Sequence, residues 1–273
     1  MASDRLAGLV IAISSFLAGC GPISAALHDP RSLPAAPQDN RVHHEPGAEP
    51  YAQAVAAILP AAMAKVEATH GRPFGKPFVV VAYLNDDSYA AANGRGDANP
   101  RGVTFFDRVT LSPHLWRKER ELLEADLTHE LSHEHLSSRL STLEYYRIPI
   151  WFTEGIAVMA SDGGGAQRVS EAEAQRAICA GRSIEASDSP NPFGNVSLKA
   201  PVIEGDDMRL RMHMAYRQAG LFVAWLRKSN PAAFRALLDR IYEGEQFKPA
   251  FEASYKSNVA LIWREFVDRC PPA

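Results

Sequence analysis

The chain has 273 residues, of which 46% are hydrophobic and 22% charged, and its formal net charge is -3. This composition is ordinary for a globular protein, and the small negative charge gives no electrostatic basis for binding nucleic acid. After the N-terminus, no apolar stretch reaches the roughly 20 residues that a membrane-spanning helix needs. Composition and charge therefore exclude an electrostatically driven nucleic-acid binder and a multispan membrane protein.

The N-terminus combines a short apolar run with a cysteine. Residues 6–17 are mostly apolar, a run too short to span a bilayer but typical of the apolar region of a secretory signal. The run ends in Leu-Ala-Gly-Cys20, which resembles the lipobox, where the cysteine becomes the lipidated first residue. The resemblance implies a signal peptide at 1–19 and a lipid on Cys20. An ordinary signal peptide cut near Ala18 or Ala25 is the alternative.

The same resemblance bears on location. In Gram-negative lipoproteins an Asp after the cysteine often retains the protein in the inner membrane, whereas this chain has Gly21. We therefore expect lipid anchoring in the bacterial cell envelope, at the outer membrane and facing the periplasm. Residues 20–47 contain five prolines and no sustained periodicity, which predicts a flexible tether. Residues 48–273 then form one large domain or two closely packed subdomains.

In the first half of this domain, helical and strand patterns alternate. An Ala-rich stretch with apolar spacing predicts a helix that Pro60 can kink. A continuous Phe-Val-Val-Val-Ala-Tyr-Leu run predicts a buried strand. In chain order, the predicted elements are a helix at 51–70, a strand at 77–84, a short helix at 86–92, a strand at 103–111 and a long helix at 115–139. They indicate a small sheet with helices.

The second half is predicted to be mainly helical. Its helices are expected at 151–160, 171–180, 212–227, 231–243 and 258–268. The glycines at 163–165 end the first of them, and residues 140–150 are predicted as a loop. Residues 181–207 are also predicted as a loop, and loops of this length often form lids or substrate rims. The predicted fold class is α+β, with a small N-terminal sheet, a central helix and a mainly helical C-terminal half.

The long central helix carries a pattern that suits a metal ion. Residues 129–133 read His-Glu-Leu-Ser-His. On a helix, residues four apart lie about 40° apart round the axis and about 6 Å apart along it, so His129 and His133 can reach one metal ion. Glu130 lies about 100° from His129. It flanks the metal and can take a proton from a metal-bound water.

The alternative for this pattern is an exposed helix face with solvated charges. Apolar residues at helical spacing argue against it, because they place the histidines beside a strongly apolar stripe. These residues are Leu122, Leu123, Leu127, Leu131 and Leu136. The histidine pair therefore belongs to an amphipathic helix.

A third ligand has to come from elsewhere in the chain, because catalytic zinc usually has three protein ligands and one open position. Glu154, in the sequence Trp-Phe-Thr-Glu-Gly-Ile-Ala, is the best candidate. The alternative is an ordinary carboxylate in the first turn of a helix, where the helix dipole favours it. Gly155 would allow this helix to pack closely against the helix of His129 and His133.

The two segments together resemble a known group. The pattern H-E-x-x-H at 129–133, followed by P-x-W-F-x-E-G-x-A at 149–157, is similar to the gluzincin peptidases, including their peptidase-MA-like branch. Metzincins are excluded because their third histidine would fall at Arg139, and the inverted H-x-x-E-H order is absent. The resemblance is specific over residues 122–160 and weaker towards residue 270.

The resemblance implies roles for individual residues. His129, His133 and Glu154 would bind Zn²⁺, Glu130 would be the general base, and peptide bonds would be the substrate. It also implies a gluzincin-like fold, in which an edge strand beside the metal helix binds extended substrate. The strand predicted at 103–111 has the right chain position, although an internal strand paired on both sides is the alternative.

An oxyanion donor is expected in the C-terminal half. Peptide hydrolysis builds negative charge on the carbonyl oxygen, which a donor beside the metal stabilises. Related gluzincins place a Tyr or His donor about sixty residues after the third ligand, where this chain has His213 and Tyr216. We favour Tyr216, although an ordinary core tyrosine is the alternative.

The cysteines add one structural prediction. With Cys20 assigned to lipid, Cys179 and Cys270 are an even pair in an oxidising compartment, which predicts a disulfide. Two separate thiols are the alternative, since pairing cannot be deduced from sequence alone.

Two functions remain from the sequence. The first is a lipid-anchored zinc metallohydrolase that cleaves a peptide or protein substrate. The second is a binding or scaffold lipoprotein that keeps a zinc-containing, peptidase-like fold without turnover. Both predict bound zinc, and the presence of Glu130 favours the enzyme. Oligomeric state cannot be inferred from these patterns.

Overall fold

The computed structural model describes residues 29–190 and 208–270, together with Ala25, Leu27 and the backbone of the strand Leu198–Lys199. The predicted signal peptide and the predicted lipid site at Cys20 lie outside the described residues. Among the described residues, no helix is long and apolar enough to cross a membrane.

The fold is α+β, as predicted. The described part of the chain divides into two compact units, the first within residues 1–60 and 78–123 and the second within residues 61–77 and 124–273. Among the described residues, the α-helices are α1 (Glu49–His70), α2 (Asp86–Ala92), α3 (Pro113–Lys118), α4 (Leu123–Ser137), α5 (Thr142–Tyr146), α6 (Ile150–Ala160), α7 (Glu171–Cys179), α8 (Met208–Ser229), α9 (Pro231–Tyr242), α10 (Phe247–Tyr255) and α11 (Val259–Val267).

The first unit contains a mixed sheet. Its strands are β1 (Ala35–Ala36), β2 (Asp39–His44), β3 (Val79–Ala82), β4 (Gly102–Phe105) and β5 (Arg108–Leu111). They are ordered β1-β2-β3-β5-β4, with β3 parallel to both of its neighbours. All four residues of β3 are buried, as its unbroken apolar run predicts. Two further short strands, β6 (Ser183–Ile184) and β7 (Leu198–Lys199), pair in the second unit.

The tether prediction is wrong for part of residues 20–47. The stretch forming β2 lies inside the sheet, with Val42 fully buried and paired with Val80. His43 and His44 are buried as well, and Nδ1 of each ring donates a hydrogen bond to a backbone carbonyl. The strand was missed because its apolar content is small. Its burial comes from pairing with β3 rather than from an apolar pattern of its own.

The single strand predicted at 103–111 is a hairpin. The strands β4 and β5 pair antiparallel through Phe105 and Arg108, so Phe106 and Asp107 form a two-residue turn. Phe106 adopts a left-handed φ of 54°, a conformation usually taken by Gly, Asn or Asp in such turns. The turn was not predicted because a Phe occupies this position. Of the two strands, β4 lies at the sheet edge and β5 is internal.

The long helix predicted at 115–139 is interrupted. Ser112 caps α3 and Pro113 occupies its first turn, and a 3₁₀ turn at Arg120–Leu122 separates α3 from α4. The break lies at Glu119, whose φ and ψ of -135° and 39° are not helical. Leucine spacing alone could not reveal it, because a 3₁₀ turn nearly preserves the apolar face.

In the second unit, the close packing of α6 against α8 depends on glycine. A Cβ on Gly155 would lie 2.6 Å from Val223 Cγ2 and 2.7 Å from the Ala219 carbonyl oxygen. Gly220 allows the same close approach to Val158. Gly155 therefore packs against α8, and the expectation that it packs against the metal-motif helix is wrong.

The disulfide between Cys179 and Cys270 is present, as predicted, and joins the end of α7 to the segment after α11. Two helices were not predicted. The first is α5, within the expected loop at 140–150, and the second is α10, whose Phe247 and Phe251 are buried in the core. Both are short, and short helices give little periodic signal.

A buried chain of hydrogen bonds holds α4 in the second unit. The Tyr242 hydroxyl lies 2.7 Å from His70 Nδ1 and 3.0 Å from His135 Nδ1. His70 Nε2 lies 2.8 Å from Ser132 Oγ, and His135 Nε2 lies 2.8 Å from the Arg72 carbonyl oxygen. Both imidazoles are fully buried, so the neutral form of each is strongly favoured.

When both imidazoles are neutral, only one placement of the protons satisfies every member of this hydrogen-bond network. The Arg72 carbonyl can only accept, so His135 carries its proton on Nε2 and accepts at Nδ1 from Tyr242. The Tyr242 oxygen then accepts from His70 Nδ1, and His70 Nε2 accepts from the Ser132 hydroxyl. Every member is satisfied, which fixes α4 against α9 and the segment after α1.

We expect the protein to lose stability as pH falls from about 6.5 towards 4. Burial lowers the pKa of His70 well below its usual value, and lowers that of His135 from 6.5 to about 4. The unfolded chain therefore binds protons that the folded chain does not, so stability is full above the unfolded pKa. Each histidine can contribute up to about 1.4 kcal/mol per pH unit to the loss.

Urea unfolding in chelator at pH 7.5, 6.0 and 5.0 measures the loss, and ¹⁵N NMR of the imidazoles checks its cause. His70 and His135 must remain neutral in the folded protein at pH 5.5. A charged ring on either residue at that pH contradicts the explanation.

Candidate metal centre

Helix α4 brings two imidazoles together. His129 Nε2 and His133 Nε2 lie 3.1 Å apart, and the ring centroids are separated by 4.8 Å. Leu127 and Leu131 are fully buried, so the apolar stripe predicted for this helix anchors it. Both histidines are themselves buried.

Helix α6 supplies the carboxylate. Glu154 Oε2 lies 3.3 Å from His129 Nε2 and 3.6 Å from His133 Nε2. The side chain of Glu154 is only 12% exposed. The structure thus brings together the three ligands that the sequence predicted, in a buried group that could hold a metal ion.

The spacing of the three atoms suits a small cation. Tetrahedral coordination with bonds of about 2.0–2.1 Å places ligand atoms roughly 3.3–3.4 Å apart, close to the three distances between His129, His133 and Glu154. Glu154 Oε2 is buried and faces the two imidazole Nε2 atoms. A buried carboxylate is stable only with positive charge beside it, which a protonated imidazole or a bound cation can supply. The donor set therefore fits a metal ion.

The other nitrogen of each ring faces a neutral acceptor. His129 Nδ1 lies 2.9 Å from the Gly164 carbonyl oxygen, so it donates its proton there. His133 Nδ1 lies 3.3 Å from the Tyr145 hydroxyl. A proton on Nδ1 leaves the lone pair on Nε2 free, which is the arrangement that a metal-binding imidazole needs.

The glycine run after α6 does more than end that helix. A Cβ on Gly164 would lie 2.3 Å from the Ala125 carbonyl oxygen, and one on Gly165 would lie 2.6 Å from His129 Cε1. Asp126 accepts hydrogen bonds from Gly165 N at 3.3 Å and from the Gln167 amide. Glycine is therefore required for this segment to lie against α4 and present its carbonyl to His129.

Comparison with known proteins gives no family assignment. No protein-family profile matches the chain, and no curated protein matches it. The resemblance to gluzincins rests on the patterns at 129–133 and 149–157.

Electrostatics keep Glu154 ionised in the chain without metal. Burial alone would raise its pKa, but the neighbouring imidazoles of His133 and His129 outweigh burial, and the pKa lies well below its usual value. For His129, burial would lower the pKa, but the Glu154 carboxylate raises it above its usual value. The site thus contains a buried negative charge on Glu154. In the chain without metal, protons on the histidines neutralise this charge, and a bound metal cation can take their place.

The predicted base and donor lie close to the ligands. Glu130 is partly exposed, and its charge contributes to raising the pKa of His129, after the larger effects of burial and Glu154. The ring of Tyr216 is nearly parallel to that of His129, at 18°, with centroids 6.3 Å apart. His213 is buried on the same helix, three residues earlier. The ring pairing places Tyr216 beside a candidate metal ligand.

The sequence analysis missed Tyr145, because residues 140–150 were predicted as a loop. The sequence nevertheless contains a pattern that indicates a helix here. Ser141-Thr-Leu-Glu144 fits the capping-box pattern that starts a helix, and both of its reciprocal hydrogen bonds form.

Proposed function

We propose that the protein is a zinc-dependent hydrolase with peptide bonds as its substrate. The convergence of His129, His133 and Glu154 in one buried group supports this most directly, because their three ligand atoms lie close enough together to hold one metal ion. Two imidazoles and one carboxylate are the donor set of catalytic zinc in a well-known class of peptidases. Three protein ligands leave one position for water or substrate.

Zinc, when bound, polarises a carbonyl group and lowers the pKa of water. Glu130 accepts the proton of the attacking water on its carboxylate and later donates it to the leaving amine. Its partial exposure leaves it reachable from solvent. Tyr216 donates its hydroxyl proton in a hydrogen bond to the oxygen that becomes negative, which stabilises the transition state. His129 and His133 keep their protons on Nδ1 throughout.

Cleavage of a mixed peptide library by the purified protein tests the proposal. We expect defined cleavage products that disappear with a chelator and return with added Zn²⁺. A protein that binds zinc but cleaves no peptide in the library would instead support the non-catalytic binding or scaffold lipoprotein.

We also propose that the protein is anchored in the bacterial envelope through a lipid on Cys20. The lipobox-like Leu-Ala-Gly-Cys supports this, and the residues concerned lie outside the described part of the structure. Mass spectrometry of the N-terminal peptide should find an acylated Cys20. An unmodified terminus starting elsewhere leaves an ordinary exported protein.

A further inference from the structure

A five-residue helix places a phenol behind one of the metal-binding imidazoles. Ser141 caps the N-terminus of helix α5: its hydroxyl accepts from Glu144 N at 3.3 Å, while the Glu144 carboxylate accepts from Ser141 N at 2.7 Å. This reciprocal cap gives a short helix a defined start. The result is that Tyr145 has a fixed backbone position from which its side chain points to α4.

The Tyr145 hydroxyl contacts the ring nitrogen that faces away from the candidate metal position. It lies 3.3 Å from His133 Nδ1, whereas His133 Nε2 lies 3.6 Å from Glu154 Oε2. The two nitrogens lie on different sides of the imidazole. The hydroxyl therefore acts on His133 and is not placed to touch a substrate at the ligand atoms.

The hydrogen bond between Tyr145 and His133 has a defined direction when His133 Nε2 is free to bind a cation. The neutral ring then carries its proton on Nδ1, and the Tyr145 oxygen is the acceptor. A phenol is uncharged at neutral pH, so the acceptor is neutral.

A neutral acceptor has a specific consequence for the site. The partner of His129, the Gly164 carbonyl, is neutral as well. Carboxylates often take this place behind metal-bound histidines and add negative charge to the ligand set. With a phenol and a carbonyl instead, Glu154 is the one carboxylate among the three candidate ligands in the described residues, and a bound cation would keep more of its positive charge.

We propose that Tyr145 is a positioning residue for the metal centre. Its hydroxyl accepts the Nδ1 proton of His133, which fixes the tautomer and the ring orientation that a cation requires. This inference rests on the proposed function, because it assigns a role within the same site.

The test compares Tyr145→Phe with Tyr146→Phe in the full chain. Tyr146 is the matched control, since it is the next residue of α5, is 47% exposed, and its ring lies 5.6 Å from that of Tyr145. Competition with a chelator measures Zn²⁺ affinity. We expect Tyr145→Phe to bind zinc about 10- to 100-fold more weakly, and Tyr146→Phe to match the wild type.

Imidazole ¹⁵N NMR of the metal-free chain provides a second measurement, the tautomer of His133. This tautomer would not change if Tyr145 had only a structural role. His133 should carry its proton on Nδ1 in the wild type and in Tyr146→Phe, and should become a tautomer mixture in Tyr145→Phe. Equal zinc affinity and equal tautomers in Tyr145→Phe and the wild type overturn the inference.

Different results contradict the proposed function and the role of Tyr145. A wild-type chain that binds no zinc contradicts the proposed function, and the tautomer comparison still decides whether Tyr145 fixes the tautomer of His133. If Tyr145→Phe does not fold, the wild-type spectrum decides alone. An unprotonated His133 Nδ1 in the folded wild type overturns the inference, and a protonated one supports it.

Discussion

Replacing Glu130 with Gln is expected to reduce peptide cleavage by at least about a hundredfold while the metal stays bound. The amide keeps the size of the side chain but cannot accept the proton of the attacking water. The metal should be retained because the ligand set of His129, His133 and Glu154 is untouched. Steady-state kinetics and elemental analysis of the same preparation measure the two effects together.

Glu124→Gln is the matched control for this experiment. Glu124 is an exposed carboxylate on the same helix, six residues before Glu130, so its replacement removes the same charge from α4. We expect near-normal turnover for this variant. A Glu130→Gln protein that retains metal and cleaves at a near-normal rate removes Glu130 from the mechanism.

The second large effect is expected at Tyr216. A donor that contacts the oxyanion mainly in the transition state lowers kcat when it is lost and changes KM little. Tyr216→Phe deletes the hydroxyl but keeps the ring beside His129, so packing changes little. We expect kcat to fall about a hundredfold or more, equivalent to roughly 3 to 4 kcal/mol.

His213→Gln is the comparison for Tyr216. Both residues lie on α8, and the buried His213 lies three residues earlier. We expect His213→Gln to lose less activity, with zinc retained in both variants. The reverse order assigns the donor role to His213. Near-normal rates in both variants would mean that neither residue faces the reacting carbonyl.

The parts of the site set by helix geometry could be predicted from sequence. His129 and His133 are four residues apart on one helix, which fixes their relative positions. The 3.1 Å distance between their Nε2 atoms therefore follows from their spacing. Glu154 lies on a separate helix, and the helix period cannot place it beside them. Its prediction depended on the resemblance of the surrounding pattern, and the structure brings it to both histidines.

The parts set by tertiary contact could not be predicted. The sequence shows that Gly155 and Gly164 lack side chains, but it does not show which atoms approach them. Gly155 meets α8 rather than α4, and Gly164 meets the backbone of α4. The strand at Asp39–His44 could not be predicted either, because its place in the sheet comes from pairing with a strand distant in sequence.

The metal content of the purified chain tests the central claim most directly. After dialysis against zinc-free buffer, elemental analysis should find about one zinc per wild-type chain, and almost none in His129→Ala, His133→Ala or Glu154→Ala. Wild-type protein without zinc, or full zinc in Glu154→Ala, contradicts the metal centre described above.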